Sequence, residues 1–291
     1  MFIWQNGKLL KKEEAAISPF DHGYLYGVGL FETFRVYHGH CFLLDDHLQR
    51  LNAGLELLEI KKRICRPEAE EAVAALLEAN GSSDAYIRFN VSAGAGEVGL
   101  RSEPYTDPEI IIFSKPLPPA GILQEKRGKI LSLNRNTPEG VERLKSHHYL
   151  NNILAYRELR DVPGTEGIFL TKDGHVAEGI VSNVFWARGG TLFTPSLETG
   201  ILNGITRQFV IELALSAGFE VREGFFSSEE LLGAEEVLFT NSIQEIVVCP
   251  QIGDTTFAGR EGRLGQLLHE QYAACRKKYY SRNELKTEDF S

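Results

Sequence analysis

The sequence has no surplus of positive charge. Its 40 acidic side chains outnumber 31 lysines and arginines, for a formal net charge of −9. An acidic chain without a long basic run offers little to a nucleic-acid backbone, so no nucleic-acid partner is expected. Long apolar runs are also missing; the wholly apolar stretches fall far short of the roughly 20 residues that span a bilayer. No membrane partner is therefore expected. Met1–Gly7 lacks a basic head and a long apolar segment, so no secretory signal is expected either. Cysteine is sparse: Cys41, Cys65, Cys249 and Cys275 stand alone, without Cys-x-x-Cys spacing. That usage fits reduced thiols in a cytoplasmic protein better than a disulfide frame or a zinc site. Repeats and low-complexity segments are absent as well.

What remains is 291 residues of ordinary globular composition, 43% hydrophobic and 24% charged. At roughly 150 residues per domain this predicts about two domains. Phe2–Gln5 reads as a strand, followed by a turn at Asn6-Gly7. The run from Gly29 to Tyr37 turns at His38-Gly39-His40 and returns through Cys41–Leu44, a hairpin. Leu48, Leu51, Leu55 and Leu58 recur every three or four residues, predicting an amphipathic helix from about Asp45. A second helix starts near Pro67 and ends at Asn80-Gly81, before strands at Tyr86–Ser92 and Glu109–Ser114. The proline-rich run at Pro116–Gly121 is the best linker, placing domains at 1–115 and 124–291 around residues 116–123.

Beyond it, a strand at Lys129–Leu133 and a helix from about His148 to Arg160 are expected. Gly167–Thr171 and Val176–Gly179 flank Lys172-Asp173-Gly174, an Asp-Gly hairpin signal. Further strands are expected at Val181–Ala187, Thr191–Thr194, Val237–Thr240 and Glu245–Cys249, with helices at Thr206–Ala217 and Glu261–Tyr279. The polar tail Ser281–Ser291 is expected to fray. The fold class is α+β or α/β in two domains.

Local signals for chemistry are few. Gly94-Ala95-Gly96-Glu97-Val98-Gly99 matches a dinucleotide glycine pattern, but Pro104 and Pro108 follow where a helix must begin. It reads as a flexible loop. Gly200–Arg207 leads into a helix with Thr206 as its expected N-cap, an arrangement that leaves N–H groups for an anion. Thr240-Asn241-Ser242 ends an apolar strand with hydroxyls and an amide. His38 and His40 read as exposed turn residues, and His147-His148 lack a third ligand, so no metal site is expected. A Gly-x-Ser-x-Gly elbow and a His-Glu-x-x-His helix are both missing, which leaves serine-hydrolase and zincin readings without support.

Several segments together resemble the fold type IV family of pyridoxal phosphate (PLP) enzymes, D-amino-acid-aminotransferase-like in fold. They are Asp21–Thr33, His47–Leu51, Arg143–Ser146, Ala177–Phe185 and Gly200–Arg207, in family order across nearly the whole chain. The resemblance implies that Lys145, in the C-terminal PLP-binding domain, is the Schiff-base lysine and catalytic group. It puts Glu178 at the pyridine nitrogen, where a carboxylate keeps the ring protonated. Arg50 is implied to hold the phosphate with a bidentate fork, with Ile205, Thr206 and Ser242 supplying further donors. Tyr149 is implied to touch the cofactor, one residue closer to the lysine than in branched-chain members. Tyr26, Thr33 and Arg88 are the implied substrate-side residues.

Within the family, Tyr86-Ile87-Arg88 resembles branched-chain aminotransferases. The Arg-x-His that traps substrate in D-amino-acid aminotransferases is absent from Val98-Gly99-Leu100. Arg135–Gly140, Arg143–Asn152 and Ser18–Gly23 most resemble aminodeoxychorismate lyases. The implied activity is therefore conversion of the small molecule 4-amino-4-deoxychorismate to pyruvate and 4-aminobenzoate, a folate precursor. The alternative is a branched-chain or D-amino-acid aminotransferase. Family members resemble one another in forming homodimers, with the second subunit bordering the cleft between the domains.

Overall fold

The computed structural model describes residues 1–118 and 120–287. Two compact units emerge. The N-terminal unit comprises Met1–Ala120, Leu144–His148 and the segment from Arg276 onward; the C-terminal unit comprises Gly121–Arg143 and Tyr149–Cys275. Of the expected linker, Pro119 lies outside the described residues.

In the N-terminal unit the elements are β1 (Phe2–Gln5), β2 (Lys8–Lys11), α1 (His22–Tyr26), β3 (Gly29–Tyr37) and β4 (His40–Cys41). They continue with α2 (Leu44–Leu57), α3 (Arg66–Asn80), β5 (Ala85–Ser92) and β6 (Glu109–Pro116). The strands form a six-stranded sheet in the order β2-β1-β6-β5-β3-β4 among the described residues. Alternation decides which face is covered. Ala85, Ile87, Phe89 and Val91 of β5 join Leu48, Leu51 and Leu55 of α2 and Val73, Leu76 and Leu77 of α3 in one apolar cluster. The returning limb of the first hairpin is shorter than expected, because Leu43 turns left-handed (φ 54°) and Leu44 already starts α2. Pro67 opens α3 and Gly81 closes it at φ 65°, as the sequence predicts.

The C-terminal unit begins with β7 (Gln124–Glu125), β8 (Arg127–Ile130), α4 (Leu150–Arg157), β9 (Thr165–Leu170) and β10 (Val176–Gly179). Next come β11 (Asn183–Arg188), β12 (Thr191–Pro195), α5 (Ile205–Ser216), β13 (Glu220–Gly224) and α6 (Ser228–Leu232). It ends with β14 (Glu236–Asn241), β15 (Glu245–Cys249), β16 (Gln251–Ile252), β17 (Thr255–Thr256) and α7 (Arg263–Cys275). Two mixed sheets result, ordered β10-β9-β8-β16-β17 and β13-β12-β11-β14-β15-β7. The Asp-Gly hairpin is present as the antiparallel pair β9–β10.

Three expectations are corrected here. The lysine segment belongs to the N-terminal unit, not to the C-terminal domain. Its backbone is knitted to β3: Phe31 N–H donates to Lys145 O at 2.9 Å, His147 N–H to Gly29 O at 3.0 Å, and Leu30 bridges Ser146. The last helix stops at Cys275, and the described chain after it, as far as Thr287, is held in place rather than frayed. Leu285 is buried, and Arg282 donates both its backbone N–H (2.7 Å) and its guanidinium to buried Asp46. The carbonyls of Tyr279 and Tyr280 accept from Leu43 and Asp45 at 3.1 and 2.9 Å, serving the otherwise uncapped start of α2. Residues 288–291 of that tail lie outside the described residues. The third correction concerns α5, whose N-cap is Gly204 rather than Thr206.

Among the described residues no helix is long and apolar enough to cross a membrane. The glycine pattern at Gly94–Gly99 forms a loop with no helix after it, as expected. That loop is tied down, because Gly96 N–H donates to Phe20 O at 3.1 Å and Gly99 N–H to the Tyr26 hydroxyl at 2.7 Å. Glycine is required at Gly94, with φ 80°, where a Cβ would lie 1.9 Å from Asp107 O.

Candidate active site

The C-terminal unit carries a buried carboxylate at its centre. Glu178 is the penultimate residue of β10 and is 4% exposed. Its Oε1 accepts from Arg135 Nε at 2.8 Å, with Arg143 Nε farther away at 3.8 Å. Its Oε2 accepts from Leu202 N–H at 3.0 Å and, at a longer 3.4 Å, from Asn183 Nδ2. Arg135 is in turn braced by the Asn151 and Asn152 side chains at 2.8 and 3.1 Å and lies over the Phe169 ring. Burial lowers the Arg143 guanidinium to about 10, with neighbouring Arg135 adding to that shift while Glu178 and Glu139 oppose it. The role of Arg135 and Arg143 was not assigned from the sequence. Their only signal was an arginine at each end of the Arg135–Arg143 loop.

Hydroxyl and N–H donors gather at the start of α5. Gly204 makes no side-chain cap, so the first turn at Ile205 and Thr206 begins without a competing acceptor. The Thr206 and Ser242 hydroxyls are 3.2 Å apart. Thr206 therefore sits inside the first turn, directed at Ser242, and the expected helix-capping role passes to glycine. The Thr240 hydroxyl, two residues before Ser242, is buried and has no protein partner. Tyr149 precedes α4 in this same unit.

The N-terminal unit carries the other residues implied by the resemblance. Lys145 Nζ lies 4.8 Å from the centre of the Phe31 ring, and Arg88 lies over that ring at 3.7 Å. Thr33 of β3 pairs with Arg88 of β5, so register brings two expected substrate-side residues together. Tyr26 ends α1, its ring edge-on to His22 at 4.9 Å. Arg88 and His147 also line a cavity of about 400 Å³ with Asp21, Asn90, Ser92 and Phe113 on the sheet face opposite α2 and α3. His147 stacks on Phe31, and burial, reinforced by Arg88, pushes its imidazole below the usual histidine range.

The Nε and Nη2 edge of Arg50 grips Glu32 of β3, at 2.8 and 2.7 Å, a partner that the sequence reading did not assign. His47 Nδ1 lies 2.7 Å from the same carboxylate. Burial alone would raise the Glu32 carboxyl; Arg50 and His47 outweigh it and bring it down to about 2. Burial pushes the His47 imidazole below its ordinary range against the pull of Glu32, and beside a carboxylate its Nδ1 is the donor.

These residues fit PLP chemically. A buried, multiply hydrogen-bonded carboxylate suits a pyridinium N–H, and Oε1 of Glu178 has only one close donor, leaving acceptor capacity. The hydroxyls and helix start at Ile205, Thr206 and Ser242 are the donor chemistry that a phosphate needs. An orphaned hydroxyl at Thr240 adds to it.

Comparison with known proteins gives the same direction. Residues 29–252 match the model of the amino-transferase class IV family. The chain is 46% identical over 272 residues to aminodeoxychorismate lyase of Bacillus subtilis (strain 168), covering 93% of each. It is similar to the crystal structure of Escherichia coli branched-chain amino acid aminotransferase, with TM-score 0.83 and 30% identity over 94% of this chain and 93% of that one. It is likewise similar to branched-chain amino acid aminotransferase from Thermobaculum terrenum in its PLP form, with TM-score 0.83 and 28% identity over 97% and 96% of the two chains.

Proposed function

The chain belongs to the class IV aminotransferase family, and from that membership and the site we propose that it is a PLP-dependent aminodeoxychorismate lyase. It cleaves 4-amino-4-deoxychorismate to 4-aminobenzoate and pyruvate. The observation that carries the lyase reading is the greater likeness to the Bacillus subtilis lyase than to the branched-chain aminotransferases.

When bound, PLP supplies an electron sink for the carbanion formed next to the substrate nitrogen. Lys145 is the residue that anchors the cofactor, and its Nζ takes the ring proton from the carbon bearing that nitrogen. The bond between the ring carbon and the enolpyruvyl oxygen breaks with that proton's loss, so the carbocycle becomes aromatic; the departing enolpyruvate takes a proton at its methylene carbon and becomes pyruvate. Glu178 holds the proton at the pyridine nitrogen, and Arg135 fixes the carboxylate that does so. Ile205 N–H, the Thr206 and Ser242 hydroxyls and Arg50 hold the phosphate; Tyr149 borders the cofactor. Tyr26, Thr33 and Arg88 meet the substrate, Arg88 as the cation for its carboxylates. The reaction regenerates its own starting enzyme, so it needs no keto-acid acceptor.

The branched-chain aminotransferase reading is favoured by Tyr86-Ile87-Arg88. A turnover assay separates the two. Many equivalents of aminobenzoate formed per enzyme without keto acid support the lyase; a single equivalent, restored by adding keto acid, supports the transaminase. Lys145→Ala is expected to abolish turnover and the visible cofactor band together, and full activity in that variant would overturn the assignment.

A homodimer is part of the proposal. It is supported by apolar side chains on α4 that this chain leaves exposed, Leu150, Ile153, Leu154 and Tyr156. Sedimentation at the mass of one chain would refute it. The four cysteines form no disulfide, which supports a reducing, cytoplasmic location.

A further inference from the structure

Glu32 stands out as a full charge in an apolar layer. It is 1% exposed, and its neighbours along β3 on the same face, Leu30 and Phe34, belong to the main cluster with Leu48 and Leu51 of α2. Burying a carboxylate there costs several kcal/mol of desolvation, and a leucine would fill the space without that cost. What the carboxylate provides is geometry. Both oxygens are engaged: Oε1 by Arg50 Nε, and Oε2 by Arg50 Nη2 and His47 Nδ1. A two-point contact fixes the plane of a guanidinium as well as its place. His47 and Arg50 lie three residues apart on one face of α2, so one carboxylate holds both. The His47 ring also packs against Phe34, at 5.5 Å between centres, which fixes the third member.

We infer that Glu32 is a positioning residue, buttressed by His47, whose two-point grip sets the guanidinium plane of Arg50 for the cofactor phosphate. The inference rests on the PLP reading above and adds a residue to it. Glu32 touches neither substrate nor cofactor; it acts through Arg50, so its influence falls on the phosphate and nowhere else on the cofactor.

The test is titration of the full-length protein with PLP and, separately, with pyridoxal, which lacks the phosphate. Glu32→Gln keeps the shape but replaces one acceptor oxygen by an NH₂ that faces an N–H. Loss of one charge-assisted hydrogen bond is expected to weaken PLP binding about tenfold, with pyridoxal binding changed less than about twofold. Glu32→Asp, which withdraws the intact charge by one methylene, is expected to show the same selective loss if Glu32→Gln does not fold. Arg50→Lys, which loses the fork but keeps the charge, is expected to show it as well. Equal weakening of both ligands would assign Glu32 to the fold alone and overturn the inference. Unchanged PLP affinity in both Glu32 variants would overturn it too. Wild-type protein that binds neither ligand would overturn the cofactor reading, and this inference with it.

Discussion

Replacing Arg135 by methionine keeps an unbranched apolar stem over Phe169 and removes the guanidinium. The structure sets the cost. Arg135 provides the one close cation on Glu178, at 2.8 Å, while Arg143 at 3.8 Å is beyond hydrogen-bond reach. Stripping one partner from a buried ion pair costs about 3–5 kcal/mol, chiefly because the other charge stays buried and underpaired. Here Arg143 softens the loss, so the lower end, about 3 kcal/mol, is expected. Glu178→Gln in the same chain removes the stranded charge and should return about 2 kcal/mol, making the double variant more stable than Arg135→Met alone. Urea unfolding can isolate the relevant unit, because the two tryptophans are divided between the units, Trp4 in β1 and Trp186 buried in β11. In a Trp4→Phe background, Trp186 fluorescence follows the C-terminal unit. A loss below about 1 kcal/mol, or no recovery in the double variant, would show that the Arg135–Glu178 contact does not govern the state of that carboxylate.

Acid should reveal Glu32. Its carboxyl falls from an ordinary 4.5 to about 2 on folding, so its stabilisation is complete above 4.5 and is lost as pH drops toward 2. The gap in unfolding free energy between wild type and Glu32→Gln should accordingly narrow between pH 5 and pH 3; a constant gap would count against the assignment. Leu51→Ala, at a site 1% exposed between α2 and the sheet, should cost about 2–5 kcal/mol in urea unfolding. Arg282→Ala strands buried Asp46 and should cost about 2 kcal/mol in the N-terminal unit, read by Trp4 fluorescence. No change there would mean that the C-terminal turn is merely resting on α2.

Elements whose signals are local were readable from the sequence. The leucine spacing of α2, Pro67 and Gly81 around α3, and the Asp-Gly turn between β9 and β10 each depend on a few adjacent residues. By contrast, β13 (Glu220–Gly224) has Val221 as its one apolar residue and owes its existence to parallel pairing with β12, which no local pattern announces. The short helix α6 did carry a readable signature, the Ser227 and Glu230 capping box, in only five helical residues. The site divides in the same way. The loop-to-helix form of Gly200–Arg207 suggested an anion site, yet which residue caps α5 depended on Asn183, whose side chain crowds Gly204 and leaves no room for a Cβ there. Lys145 was visible only through resemblance, and its attachment to β3 rests on a bridge to Leu30, more than a hundred residues earlier. The Glu32–His47–Arg50 cluster left a trace in retrospect: one acid within the apolar stretch Leu30–Phe34, and a His-x-x-Arg on a helix face.

The docking of the C-terminal turn onto α2 also imposes an order on synthesis. The N-terminal unit is completed by Leu285 and by the Tyr279 and Tyr280 carbonyls at the start of α2. All the residues of the C-terminal unit leave the ribosome before those do. The half of the protein translated first is thus the last to close, and until then it holds an unfinished helix start and a buried acid awaiting its arginine. A released chain truncated just short of Tyr279 should present a protected C-terminal unit and a protease-sensitive N-terminal one, the reverse of the usual vectorial sequence.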